Sequence, residues 1–530
     1  MKKYLLSIVA LILPILTFAQ EAHEMGIDEK IDQAFGNATG WFVNFIFYQI
    51  PFSDDVQIYW VLFPLILGAT YFTFYFNFIN FKGFFTSINI VRGKYDDIDH
   101  HETMTAAGDS TPGGDAIETI AIEGHDGEVS HFQALTAALS ATVGLGNIAG
   151  VAIAVSIGGA GATFWMIIAG FLGMASKFVE CTLGVKYRDI EEDGTVYGGP
   201  MYYLTKGLKS KGLGKLGKVL AAVFAVFVIG GSFGGGNMFQ VNQAFQLVEN
   251  ITGGEQSFLH GYGWAFGLVM AVFVGIVIIG GIKSIAKVTD KIVPFMVVIY
   301  VAASLFVIFV NYDMIGSAFM QIFNGAFSPE GVAGGAVGVL VQGFRRAAFS
   351  NEAGVGSASI AHSAVKTKYA ASEGMVALLE PFIDTVLVCT MTALVLIITG
   401  NVTAANAGLN DAEAILLTSG AFQSAISWFP YVLTIAVILF AFSTMISWSY
   451  YGFQGWSYLF GRTKKMEYTY KIIFCMFVVV GAAASLGSVI GFSDAMIFAM
   501  MVPNMVGIVI LAPKVKKELK KYMDAIRATK

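Results

Sequence analysis

Stretches of about 20 apolar residues, each long enough to cross a bilayer as a helix, recur from one end of this 530-residue chain to the other. Eleven such spans follow the N-terminal leader, at 57–80, 133–156, 161–185, 219–248, 263–282, 291–311, 333–361, 374–399, 427–452, 467–490 and 494–512. Only 13% of the residues are charged, against about 25% in soluble domains. The expected fold class is an all-α polytopic membrane protein, with little room for a soluble catalytic domain. A net charge of −5, with no basic surface concentrated outside the loops, argues against a nucleic-acid partner. Cys181, Cys389 and Cys475 lie in apolar stretches and share no metal-binding or disulfide spacing.

Lys2 and Lys3 precede an apolar stretch from Tyr4 to Phe18, followed by Ala19 and polar Gln20-Glu21. That is the layout of a signal peptide over 1–19, the alternative being an uncleaved signal anchor. Either way 20–56 is expected outside the cytoplasm, with Trp41 to Tyr48 forming an interfacial amphipathic helix too short to span. The loops then set orientation. Lys82, Arg92 and Lys94 follow the first span, the stretch from Lys186 to Lys218 holds seven basic residues, and Lys283, Lys287 and Lys291 flank the next turn. Lys366 and Lys368, then Arg462, Lys464 and Lys465, then the basic tail over 513–530, continue the series, while 250–262, 312–332, 400–426 and 491–493 contain no Lys or Arg. The positive-inside rule places the basic loops and the C-terminus in the cytoplasm, in a bacterial-type inner membrane. The 81–132 loop is then cytoplasmic. Its 95–130 part is acidic, and His100, His101, His125 and His131 are scattered through and beside it. No pair of them has helical i,i+4 spacing, so a solvated loop is expected over a metal site.

The ten spans after the first divide into 133–311 and 333–512, five spans each, 179 and 180 residues long. Five spans per half make the second half start on the opposite side of the membrane, the layout of transporters built from inverted repeats, whose sites lie at Gly-interrupted helices in matching positions. The first span of one half contains Ser140-Ala141-Thr142-Val143-Gly144-Leu145-Gly146-Asn147; the first span of the other contains Phe349-Ser350-Asn351-Glu352-Ala353-Gly354-Val355-Gly356. Each Gly costs a helix about 1 kcal/mol, so the backbone is expected to open at both places. An opened helix offers amides to a carboxylate and carbonyls to Na⁺ or an ammonium group, which suits a zwitterion such as an amino acid. The alternative is that these glycines only let helices pack closely.

The segment Ala134-Leu-Thr-Ala-Ala-Leu-Ser-Ala-Thr-Val-Gly-Leu-Gly-Asn-Ile-Ala-Gly150 resembles the signature of the alanine or glycine:cation symporter family. So do Gly198-Gly-Pro-Met-Tyr-Tyr203, Gly236-Asn-Met-Phe-Gln240, Ala348-Phe-Ser-Asn-Glu-Ala-Gly-Val-Gly356, Leu379-Glu-Pro-Phe-Ile-Asp-Thr385 and Phe442-Ser-Thr-Met-Ile-Ser-Trp448, in the expected order across 57–512. The resemblance implies the bacterial leucine transporter fold: ten core helices in inverted repeats plus a peripheral N-terminal helix. It also implies Na⁺-coupled, sometimes H⁺-coupled, uptake of alanine, glycine or another small amino acid, with no cofactor beyond the coupling ion. By position, the Gly144 and Gly146 amides would hold the substrate carboxylate, Thr142, Asn147 and Ser350 would serve a sodium beside it, and carbonyls at Phe349 and Ser350 would take the ammonium. A second sodium would sit between the Ser140 and Val143 carbonyls and the stretch from Ala441 to Thr444, while the side chains of Gln240 and Trp448 would contact the small substrate. A monomer in the bilayer is the expected state. The 95–130 loop is longer than the family pattern.

Other intramembrane groups carry open readings. Glu352 could bind a cation, carry a proton or accept hydrogen bonds from freed amides, the last being preferred. Glu380 and Asp384, four apart on one helix face, suit a structural or coupling role; no nucleophile or metal motif accompanies them, so an enzyme is not expected. Arg345 and Arg346 either close an outer gate through a carboxylate or anchor the helix at the interface. Tyr202, Tyr450 and Tyr451 read as packing residues. The alternatives carried forward are H⁺-coupled symport and an ion channel, though internal two-fold repeats with broken helices point away from a channel.

Overall fold

The computed structural model describes residues 26–52, 57–99, 127–192, 194–327, 335–401 and 414–529. The leader, most of the 95–130 loop and its His100, His101 and His125 lie outside the described residues.

Helix α1, Ile27–Ile46, precedes a small antiparallel hairpin of β1 (Gln49–Pro51) and β2 (Gln57–Tyr59), and then the apolar helix α2, Leu62–Tyr75. The first core span is interrupted, as α3 (His131–Thr142) and α4 (Ala149–Gly158). Next come α5 (Ala162–Lys186), the hairpin of β3 (Asp189–Ile190) with β4 (Val196–Tyr197), α6 (Gly214–Ile251), α7 (Gly263–Ile278), α8 (Gly281–Val310) and the shorter α9 (Ile315–Phe327). The second half contains α10 (Gly335–Asn351), α11 (Ala358–His362), α12 (Ala370–Ile398), α13 (Ala414–Ala425), α14 (Phe429–Phe460), α15 (Lys464–Ala483) and α16 (Leu486–Ala528).

Among the described residues, α5, α6, α8, α12, α14, α15 and α16 are long and apolar enough to cross a membrane, and α3 with α4 makes an eighth, bent span; α2 and α7 are apolar but shorter. The span expected at 333–361 is the interrupted pair α10 and α11. Outward-facing apolar side chains such as Phe295, Val298, Phe306 and Phe309 on α8 are exposed; in water they would be a liability, whereas facing hydrocarbon they cost nothing. Lys283 and Lys287 stand on the first turns of α8 and not in a loop, because that helix begins directly after Gly280.

Helix α1 is far longer than the 41–48 stretch read from sequence. Phe42 and Ile46 are buried while Trp41 and Phe45 are exposed, so it lies amphipathically on the bundle. Its acidic first turns cap two spans. Asp28 accepts from the Gly263 amide at 3.0 Å, and Asp32 accepts from the Ser485 amide at 2.9 Å and its hydroxyl at 2.7 Å. A carboxylate at a helix N-terminus satisfies an orphan amide and complements the dipole. Burial pushes the Asp28 carboxyl above the usual carboxylate range, partly offset by its amide bonds to Gly263 and Trp264.

Candidate functional site

The two interruptions differ in kind and meet in the middle of the bundle. In the first half, Val143 and Gly144 leave helical geometry and the axes of α3 and α4 diverge by 57°. Gly144 is needed there for proximity: a Cβ would stand 2.6 Å from Thr444 Oγ1 and 3.3 Å from Gln240 Oε1. In the second half Glu352, Gly354 and Gly356 all have positive φ, at 55°, 86° and 97°. Here it is the left-handed backbone that requires glycine, and Glu352 holds that conformation at a cost of about 1–3 kcal/mol. A Cβ on Gly146 would lie 3.5 Å from Ser350 Cα, so the two interruptions are in contact.

The residues expected to form the site are brought together. The Gly144 amide donates to Asn147 Oδ1 at 2.9 Å, and the Leu145 amide donates to Gln240 Oε1 at 3.3 Å. Carboxamide oxygens thus stand where an anionic oxygen would find the same donors. Asn147 Nδ2 donates to Asp384 Oδ1 at 2.6 Å and to the Asp384 carbonyl at 3.1 Å; Ser350 and Thr385 donate their hydroxyls to Asp384 Oδ2 at 2.9 and 2.7 Å. One carboxylate therefore ties both interruptions to α12. Asn351 Nδ2 donates to Thr385 at 2.9 Å and extends the set.

Around Ser140 a second polar group joins α3 to α14. Thr444 donates to the Ser140 carbonyl at 3.0 Å, Ser140 Oγ donates to the Ser443 carbonyl at 2.9 Å, and Ser447 Oγ donates to Ser140 Oγ at 2.9 Å. Ala441 is fully buried one turn before Thr444. Thr142 uses its hydroxyl proton on the Ala138 carbonyl of its own helix, at 3.2 Å. Gln240 Nε2 donates to the Gly235 carbonyl at 2.9 Å, and Trp448 packs so closely on Gly236 that a Cβ there would fall 2.2 Å from Trp448 Cγ. Phe349 sets its ring edge-on to Phe239 at 5.4 Å. Gln240, Phe349, Ser350 and Trp448 are all buried.

Several sequence expectations are corrected by these contacts. Glu380 and Asp384 have different partners: Glu380 accepts from Lys177 and has His362 Nε2 at 3.5 Å from its other oxygen, whereas Asp384 gathers Asn147, Ser350 and Thr385. A π-helical stretch, Phe382–Cys389, begins between them. Glu352 accepts a bond from the Ser357 hydroxyl and not from a freed amide. His131, read together with the solvated loop, is buried against Glu373. Arg345 and Arg346 do find a carboxylate, Asp494, whose Oδ2 accepts from them at 2.8 and 3.1 Å.

Sequence reading did not single out Thr385, Lys177, His362, Glu373 or Asp494, and read Cys389 only as a cysteine in an apolar stretch. Lys177 and Glu180 are two lone charges three apart inside an apolar span, which is a legible signal of function. Thr385 follows Asp384 directly, and Cys389, whose Sγ lies 3.3 Å from Asn147 Nδ2, is on the same π-helical stretch.

Comparison with known proteins gives one consistent result. A family model described as the sodium:alanine symporter family matches residues 45–530. The sodium/alanine symporter AgcS of Methanococcus maripaludis is 42% identical over 403 residues, 76% of this chain and 86% of that one. The amino-acid carrier protein AlsT of Bacillus subtilis is 31% identical over 477 residues, 89% of this chain and 91% of its own. Among solved structures, the crystal structure of MhsT in complex with L-phenylalanine aligns with a TM-score of 0.50 at 14% identity, covering 74% of this chain and 100% of that one. The fold is that of the leucine-transporter-like proteins.

Proposed function

Because the chain belongs to the sodium:alanine symporter family, and is thus a transporter and not an enzyme, we propose that it carries alanine, with glycine and similar small neutral amino acids, into the cell together with Na⁺ by alternating access. The observation that carries this reading is the Asn147–Asp384–Ser350 junction, where two interrupted helices meet on one carboxylate. In the proposed site the Gly144 and Leu145 amides exchange their carboxamide partners for the substrate carboxylate, and carbonyls at Phe349 and Ser350 take the ammonium. One Na⁺ sits among Asn147, Ser350, Thr142 and Asp384, next to the substrate. A second is held by the Ser140 and Val143 carbonyls, the carbonyl region at Ala441 and the Thr444 hydroxyl. All these donors are hard oxygens, the kind Na⁺ requires.

The orientation proposed puts the basic loops and α16 tail in the cytoplasm of a bacterial-type inner membrane, with α1 outside, as the charge bias favours. A functional monomer suffices, since both repeats lie in one chain. Each inward Na⁺ gains about 2.3 kcal/mol per 100 mV, enough to sustain about a fifty-fold accumulation. The test is uptake of labelled alanine into proteoliposomes. Accumulation under an inward Na⁺ gradient is expected. Accumulation under an H⁺ gradient alone would shift the coupling reading to the proton; none under either gradient would overturn the substrate.

Trp448 is proposed to set the size limit. Its ring packs on Gly236 and meets Tyr451 edge-on at 5.3 Å, and Ser232 donates to its carbonyl at 2.6 Å. Trp448→Ala is expected to raise leucine uptake relative to alanine by about tenfold, in the range that one to two methylenes decide in an apolar pocket. A substrate range unchanged in competition assays would remove Trp448 from the lining.

A further inference from the structure

Away from the proposed cargo site, ionisable side chains form a buried line. His131 Nδ1, on the first turn of α3, meets Glu373 Oε2; the other Glu373 oxygen meets His362 Nδ1 at the end of α11. His362 Nε2 lies 3.5 Å from Glu380 Oε2, and Glu380 Oε1 accepts from Lys177 Nζ at 2.9 Å. Four of these five groups, Lys177, His362, Glu373 and Glu380, are fully buried and His131 is nearly so. Apolar residues of similar volume would hold helices together at least as well, so stability alone does not explain such a line.

Its placement does. His131 stands on the half-helix α3 and His362 on the half-helix α11, one from each interrupted span, whereas Glu373, Glu380 and Lys177 stand on the unbroken α12 and α5. The same two half-helices are strapped to each other: the Lys366 amide donates to the Val129 carbonyl at 2.7 Å, and the Val129 amide to the Ala364 carbonyl at 3.1 Å. Arg188, after α5, adds a guanidinium that binds the carbonyls of Ser363 and Thr367 at 2.9 and 3.0 Å. An opening that carried the strapped pair off α5 and α12 would separate both imidazoles from both carboxylates.

We infer that His131, Glu373, His362 and Glu380 form a proton-binding site that holds the inner end closed and releases its proton when that end opens. With Lys177 paired to Glu380, one shared proton makes the line electrically neutral, with an imidazolium on Glu373. The bonds to that carboxylate are then charge-assisted and about twice as strong as neutral ones. Losing the proton weakens them, and separating the partners while the charge remains leaves an unpaired ion in an apolar surround. The closed form therefore holds more protons than the open one, and raising pH favours opening.

The charged neighbours on each packed element are few. α5 presents Glu180 and Cys181 beside Lys177, with Glu180 accepting from Asn504 of α16 at 2.6 Å. α14 presents Tyr451 toward Glu380, the interruption presents Glu352 toward Lys177, and Asp384 lies one turn along α12. On the α8 side Asp290 is engaged by Gln133 and Thr136 at 3.1 and 3.2 Å. None of these bridges the two half-helices to α12 as Glu373 does.

This inference rests on alternating access but not on alanine being the cargo, and the test keeps the two apart. Hydrogen–deuterium exchange of the Ala358–His362 segment is followed in lipid nanodiscs without substrate, from about pH 6 to about pH 8, and corrected for the intrinsic pH dependence of exchange. One linked proton predicts that the opening equilibrium rises by up to about tenfold per pH unit in the natural protein. His362→Asn should flatten that dependence, and His131→Asn does the same at the other end should the first variant fail to insert. Corrected exchange that is constant across this range in the natural protein overturns the site, as does a dependence that survives in both variants. Loss of alanine uptake under every gradient would strike the cargo reading alone and leave this measurement intact.

Discussion

Asp384→Asn is expected to reduce Na⁺-driven alanine uptake by about 100-fold or more, in protein that still inserts and remains monodisperse. Its two carboxylate oxygens accept from Asn147 Nδ2, the Ser350 hydroxyl and the Thr385 hydroxyl, all of which are donors. An asparagine has one acceptor oxygen, so its own amide group must face at least one of these donors. Two interrupted helices then lose their shared anchor, and the proposed Na⁺ loses a negative charge beside it. Asn147→Ala attacks the same junction from the other side: it strips the Gly144 amide of its acceptor and Asp384 of a donor. If the residues act as one unit, the double variant should be scarcely worse than either single one. Uptake is measured per inserted molecule, alongside Na⁺-dependent thermal stabilisation. Near-normal transport in either single variant would overturn the site as drawn.

The sequence makes the two interruptions legible because glycine has few reasons to recur in mid-span. It does not tell them apart. Gly354 and Gly356 serve left-handed backbone, while Gly144 serves a close approach to Thr444 on α14, a contact between residues 300 positions apart. Glu380 and Asp384 illustrate a second limit. Four-residue spacing predicts one shared face, but not the neighbours each carboxylate meets: Lys177 of α5 for Glu380, and Asn147 and Ser350 at the interruptions for Asp384. His131 shows a third: it sits at the edge of a polar loop in sequence, yet the Ser130 cap starts α3 there and the helix carries the imidazole inward to Glu373. Residues 491–493, expected as a loop, lie inside α16, because the turn falls at Ala484 and Ser485; the partners of Asp494 become visible only when α16 packs against α10. In each case the residue type was readable, and what was not was the long-range neighbour that gives it work.

Asp494→Asn should be the second large effect, and of a different kind. Asp494 is fully buried at the third turn of α16, and its Oδ2 accepts from both Arg345 and Arg346 in the C-terminal half of α10. The Arg345 guanidinium also lies over the rings of Phe47 and Tyr59, 4.7 and 5.3 Å from their centroids, so the segment before α2 helps to hold the pair. The Arg346 guanidinium lies 5.9 Å from the centroid of Phe349, which closes over the interruptions. Removing one partner of a buried pair costs about 3–5 kcal/mol because the remaining charge is left unpaired. Released by opening, that penalty would shift the closed form by about 100-fold or more toward open, since 1.4 kcal/mol is tenfold. The groups proposed to touch alanine and Na⁺ are not altered, so equilibrium binding of labelled alanine in Na⁺ should change far less than uptake. Arg345→Lys keeps the charge but cannot stack between Phe47 and Tyr59 in the same way, and should fall between the natural protein and Asp494→Asn. Binding and uptake lost in equal measure would instead mean that the Asp494 contact is part of the folded scaffold and does not gate access.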